Sequence, residues 1–191
     1  MARDARPEQY VEAKRLFNSQ RFEEARAIYA DLAASGDVRS QVFLGWMYLR
    51  GTGAARDLQA AAQYFEAAAN LGSKEGAFYL GRLYAQDHHY SEARKWFERA
   101  SASEYGPALF WLGHIYQRGL GTDTDLNRAA HYYERAARQG NLFARRNLAV
   151  LMIRGAFGYL KIPVGLVLFP YFAIVATCDA IVHGYTDKLI A

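Results

Sequence analysis

The sequence predicts an all-α chain of repeated helix pairs, and three observations lead there. Residues 108–140, ALFWLGHIYQRGLGTDTDLNRAAHYYERAARQG, read as helix, glycine-punctuated turn, helix. Leu112, Gly113 and Tyr116 share one helical face, and Ala129, Ala130, Tyr132, Tyr133, Ala136 and Ala137 recur with helical spacing in the second segment. The pattern also repeats: Leu44-Gly45, Leu80-Gly81, Leu112-Gly113 and Leu148-Ala149 lie 36, 32 and 36 residues apart, and Tyr64-Phe65, Trp96-Phe97 and Tyr132-Tyr133 keep the same offsets. A period of this size marks a helical repeat array. Finally, Gly113 and Ala130 are small enough for paired helices to approach closely, while Tyr116 and Tyr133 fill the space around them.

Taken in order, residues 1–7 form a polar tail without a secretory signal, and the array is expected over 8–155. The first pair places Tyr10, Ala13, Leu16 and Phe17 on one face and Phe22, Ala25, Ile28, Tyr29 and Leu32 on the next, with Ser35-Gly36-Asp37 ending the second helix. It has Glu12-Ala13 where later units have Leu-Gly, as expected of a terminal cap with a more charged outer face. Three fuller units follow at about 38–73, 74–105 and 106–141. The two 36-residue units carry Gly51-Thr52-Gly53 and Gly119-Leu120-Gly121, followed by Asp57 and Asp125 placed to cap the second helix. The 32-residue unit has a shorter turn around Asp87-His88-His89. A last half-repeat starts at Asn141, with Phe143, Ala144, Leu148 and Leu151 on its apolar face.

The motif Leu-Gly-x-x-Tyr-x-x-Gly-x-Gly-x-x-x-Asp, followed by Ala-Ala-x-Tyr-Phe-x-x-Ala-Ala and a closing Gly, resembles the Sel1-like repeat (SLR), a branch of the tetratricopeptide (TPR) repeat superfamily. The shorter turn resembles an ordinary TPR. The resemblance covers roughly residues 8–155 and implies a right-handed superhelical solenoid whose concave groove serves protein–protein interaction and assembly. It also implies that the first helix of each pair lines the groove. Carried over unit by unit, the groove positions are Val42, Trp46 and Leu49; Phe78, Arg82 and Ala85; Phe110, His114 and Gln117; and Arg146. Their i, i+4, i+7 spacing puts each set on one helical stripe. Trp46, Phe78 and Phe110 would form an apolar strip with Arg82, His114 and Arg146 as cationic donors, and Trp and Arg are the side chains that dominate binding hot spots. The competing reading packs these aromatics between helices, since a chain with 15% aromatic residues must bury many of them.

Chemistry-bearing motifs are weak. His88, His89, His114 and His131 lack Cys or carboxylate partners at ligand spacing, so no metal and no cofactor is expected. The Gly-x-Gly turns lack the preceding strand and the Lys-Ser/Thr of a phosphate loop, and no nucleophile elbow or Cys/His pair stands out, so the chain is expected not to be an enzyme. Residues 1–140 balance 18 basic against 17 acidic side chains, which argues against nucleic acid. The single cysteine, Cys178, excludes an internal disulfide.

The end of the chain differs in kind. From Ile162, the run IPVGLVLFPYFAIVATC holds 17 residues without a charge, and the apolar character passes Asp179 through Ala180, Ile181 and Val182. Seventeen helical residues span about 26 Å and 21 about 31 Å, against roughly 30 Å of hydrocarbon. Nine of the 17 are Leu, Ile, Val or Phe, worth about −3 to −5 kcal/mol of insertion free energy, eroded by Pro163 and Pro170. Arg145, Arg146, Arg154 and Lys161 precede the run and only Lys188 follows it, so an anchored chain would keep the solenoid on the cytoplasmic side. The expectation is a membrane-associated adaptor holding a protein or peptide in its groove, with residues 156–191 as the anchor. Two alternatives stay open: a soluble cytoplasmic assembly subunit or homodimer whose apolar ending caps the array, and a small-molecule-binding regulator or enzyme without a recognisable motif.

Overall fold

The computed structural model describes residues 6–153, which form nine α-helices and no strand among the described residues. They fall into two compact units that meet in sequence at His88 and His89. The first unit contains α1 (Arg6–Asn18), α2 (Phe22–Ala34), α3 (Val38–Arg50), α4 (Leu58–Asn70) and α5 (Lys74–Gln86). The second contains α6 (Tyr90–Ser101), α7 (Gly106–Arg118), α8 (Leu126–Arg138) and α9 (Leu142–Ile153). Within each unit, consecutive helices pack on one another.

Side chains read from the sequence end these helices. The carboxylate of Asp57 accepts the amide of Ala60 at 2.9 Å, and Asp125 accepts that of Arg128 at 2.9 Å, capping α4 and α8. Asp37, Ser73 and Asn141 do the same for α3, α5 and α9, accepting the amides of Ser40, Gly76 and Ala144. Each satisfies an amide donor that the first helical turn leaves free. In the two longer units the first helix stops at a left-handed residue, Gly51 (φ +70°) and Gly119 (φ +65°), where a Cβ would be strained. The shorter turn places His88 in that conformation instead (φ +60°).

One ring per second helix organises the cores. Tyr29 and Phe65 in the first unit, and Phe97 and Tyr133 in the second, are fully buried. Each reaches residue i+14 on the following first helix: Tyr29 meets Phe43 at 4.6 Å, Phe65 stacks on Tyr79 at 5.0 Å, and Phe97 stacks on Trp111 at 5.6 Å between ring centroids. Position i+14 of Tyr133 is Asn147, so the series ends on an amide. The close approach expected at the Leu-Gly pairs is present at Gly45 and Gly113. A Cβ on Gly45 would stand 2.8 Å from the Phe65 ring, and one on Gly113 would stand 2.6 Å from that of Tyr133. Gly81 is buried as well.

A second contact recurs, once across α2, α3 and α4 and once across α6, α7 and α8. Tyr48 stacks on Tyr64 at 5.7 Å and Tyr116 on Tyr132 at 5.6 Å, both with rings 6° from parallel. The two tyrosine hydroxyls accept from the guanidinium groups of Arg26 and Arg94, each 22 residues earlier. Arg26 also donates to the carbonyl of Gly53 at 2.9 Å, holding the Gly-x-Gly turn against α2.

No helix among the described residues is long and apolar enough to cross a membrane. The apolar run expected to act as an anchor, residues 162–182, lies outside the described residues.

Candidate functional site

The groove positions selected from the sequence lie on the first helices, and in the first unit most are partly accessible. Val42, Trp46 and Leu49 are half-buried along α3. Trp46 packs edge-on against Phe17 of α1 at 5.9 Å and beside Phe43 at 5.7 Å, so one part of the indole is core while the rest faces outward. The Arg50 guanidinium stands 5.9 Å from its ring centroid, within cation–π range. Arg82 of α5 is half-buried and forms no ion pair among the described residues. Burial pushes its guanidinium below the usual value, with Tyr79 opposing and the like charge of Arg50 adding to the shift. Phe78 departs from the expected apolar strip, being 8% exposed and packed edge-on against Tyr79, and Ala85, expected on the groove, is 7% exposed. At these two positions the packing reading describes the side chains better.

In the second unit Phe110, Gln117 and Arg146 lie around Tyr133. Phe110 lies 5.8 Å from the Tyr133 ring. The Tyr133 hydroxyl donates to Gln117 Oε1 at 2.6 Å, so Gln117 is held in place by the core beneath it. Burial raises the Tyr133 phenol to about 12, against the opposing influence of Asn147, Arg118 and Arg146. Arg146 lies over the Phe143 ring at 5.6 Å and reaches the Asn147 side-chain oxygen at 3.5 Å. His114 stands edge-on to Trp111 at 5.8 Å, and its Nδ1 is enclosed without a hydrogen-bond partner. Burial and then the positive charge of Arg118 lower its pKa below the usual 6.5, favouring the neutral imidazole.

Sequence reasoning missed Arg50 and Arg118. They occupy equivalent places at the ends of α3 and α7, one turn beyond Trp46 and His114. The i+4 offset and the repeated Arg-Gly pair could have found them. The Tyr133 hydroxyl and Asn147 were missed because position i+14 is aromatic in the other three pairs and polar only here. Nothing in this arrangement supplies a nucleophile beside a base. Among the described residues no group of three or more His, Cys, Asp or Glu side chains could hold a metal ion. A cleft of about 310 Å³ between α4 and α5, lined by Leu58, Ala62, Leu80 and Leu83, contains none of the selected residues.

The comparisons agree with this architecture. The Sel1 repeat model matches residues 38–73, 75–105 and 106–141, more than half of the chain. The chain is 31% identical over 113 residues to the DAP3-binding cell death enhancer 1 of Rattus norvegicus, covering 58% of this chain and 22% of that protein. It therefore spans about a fifth of that relative's length. Among solved structures, the Escherichia coli protective antigen c5321, described as displaying an SLR fold, superposes with a TM-score of 0.82 at 27% identity, over 88% of this chain and 38% of that one. The Sel1 repeat protein of Oxalobacter formigenes superposes with a TM-score of 0.72 at 24% identity, over 78% of this chain and 63% of that one, and shows the fold alone. With its repeat spacing, glycine crossings and aspartate caps accounted for by one recurring unit, the chain belongs to the Sel1 repeat family.

Proposed function

We propose that the chain is a non-catalytic adaptor that docks a partner polypeptide on its first-helix faces. The observation that carries this reading is the contrast in burial within the α3–α4 and α7–α8 pairs. The ring positions of the second helices are fully enclosed, whereas Val42, Trp46 and Leu49 on α3, and Phe110, His114 and Gln117 on α7, keep part of their surface accessible. Large aromatic and cationic side chains presented from a rigid helical frame suit protein recognition, because little conformational freedom is lost on binding. The rat relative carries a protein partner in its name, DAP3-binding, and this supports the same class of role here. The uncharged run at 162–182, preceded by Arg145, Arg146, Arg154 and Lys161, is proposed as the segment that holds the adaptor at a membrane.

Site-specific photo-crosslinking tests the docking face. A benzophenone side chain at Val42 or His114 is expected to crosslink partner protein in cells. The same group at Gln63 of α4 or Asn127 of α8, both exposed on second helices, is expected not to. Equal crosslinking from both sets would refute the assignment of the face.

A further inference from the structure

We infer that the face formed by α7 and α9 docks an acidic segment of a partner polypeptide, its Asp or Glu carboxylates pairing with Arg118 and Arg146 and an apolar side chain resting on Phe110. This rests on the docking reading above and names the chemistry of its occupant.

Arg94, Arg128, Arg135 and Arg138 each pair with a carboxylate, from Glu98, Asp125, Glu104 and Glu134 respectively. Arg118 and Arg146 have none among the described residues; Arg146 lies over the Phe143 ring at 5.6 Å and reaches Asn147 at 3.5 Å, and both charges bear on the Tyr133 phenol. The positive charge of Arg118 also bears on His114, which has no counter-ion. Like charges gathered on one face without an anion repel each other, and a carboxylate placed between them relieves that repulsion. Arginine forks match a carboxylate in a bidentate way. Gln117 accepts from Tyr133 through its oxygen, which leaves its NH₂ group to donate to the main chain of an extended peptide.

The first unit repeats part of the pattern on its own. Arg15, Arg21 and Arg39 are paired with Glu12, Glu24 and Asp37 and Arg26 is held by the Gly53 carbonyl, whereas Arg50, 5.9 Å from the Trp46 ring centroid, half-buried Arg82 and exposed Arg56 have no carboxylate partner among the described residues. These cations lack an acidic partner among the described residues, although the surrounding chain balances 18 basic with 17 acidic residues over 1–140. A long phosphate backbone would meet those acids, but a polypeptide can offer one or two carboxylates among apolar side chains.

The test is selection of a random dodecapeptide display library on the immobilised full-length protein, followed by fluorescence polarisation with the best peptide. The selected peptides are expected to be enriched in Asp and Glu over the unselected library. Affinity is expected to fall at least tenfold for an Arg118→Glu/Arg146→Glu double variant of unchanged helicity, and equally when the peptide's Glu and Asp are replaced by Gln and Asn. An Arg118→Lys/Arg146→Lys variant should recover part of the affinity. Neutral peptides that bind this face, lost on Phe110→Ala but indifferent to charge reversal, would overturn the acidic occupant and keep the docking reading. Failure to select any peptide would overturn both. Tighter, charge-reversal-sensitive binding of a 20-nucleotide single-stranded RNA, or of vesicles containing phosphatidylglycerol, would overturn the polypeptide in favour of a polyanion or an anionic surface.

Discussion

Gly113→Ala isolates the contact on which the helix pair α7–α8 depends. The added methyl would sit 2.6 Å from Cδ1 and Cε1 of Tyr133, about 1 Å inside ordinary van der Waals distance. The ring cannot swing freely, because Tyr133 is fully buried and its hydroxyl is held by Gln117 at 2.6 Å. Overpacking of this kind costs about 1–3 kcal/mol. Displacing the hydroxyl adds about 0.5–1.5 kcal/mol for a weakened hydrogen bond. Replacing a mid-helix glycine by alanine returns about 1 kcal/mol of helix propensity. The balance is a loss of about 0.5–3.5 kcal/mol, a fall in Tm of on the order of 5 °C for a chain of this size. Urea unfolding followed by circular dichroism at 222 nm measures it. Adding Tyr133→Leu should remove much of the penalty, with a coupling of about 1 kcal/mol or more in the double-mutant cycle. A Gly113→Ala protein as stable as the parent would show that propensity outweighs the close approach, and the explanation of the recurring Leu-Gly pair would fall with it.

Other expectations concern caps, protonation and the chain end. Asp57→Ala and Asp125→Ala should each cost about 1 kcal/mol by loss of the amide cap, with the neighbouring pair little affected; a change within error in urea midpoints would count against them. His114 should titrate below the usual 6.5 because of burial and Arg118. A depressed folded value means its contribution to stability is present above the unfolded pKa and is lost as the pH falls through the folded one. Arg118→Gln should move the imidazole upward in a histidine NMR titration, and an unmoved or higher starting value would refute the electrostatic account. Fractionation of the full chain and of a version ending at Gly158, with salt and then carbonate washes, tests the proposed anchor. Retention of the full chain through both washes, with the shorter chain soluble, is the expected outcome; a soluble, well-folded full chain would support a cap on the array instead.

Much of this molecule is legible in its sequence because helical repeats are governed by local rules. Period, cap and turn residues lie within one unit, so Asp57, Asp125, Gly51 and Gly119 could be assigned before any coordinate was known, and all four do what their positions demand. The crossings at Gly45 and Gly113 were readable for the same reason: only a residue without a side chain suits a ring pressed on the helix axis. The candidate face was only half legible. A helical stripe says which residues share a side, but burial depends on what the neighbouring helix brings up to it. Hence Phe78, expected on the surface, is enclosed, while Trp46 at the equivalent side of α3 is divided between core and surface. Gln117 and Asn147 acquire their roles only through Tyr133, which reaches them from the second helix past Gly113. That Arg50, Arg82, Arg118 and Arg146 meet no carboxylate among the described residues is also a tertiary fact. The sequence holds nearly equal numbers of acids and bases, and only the packing of the helices decides which of them meet.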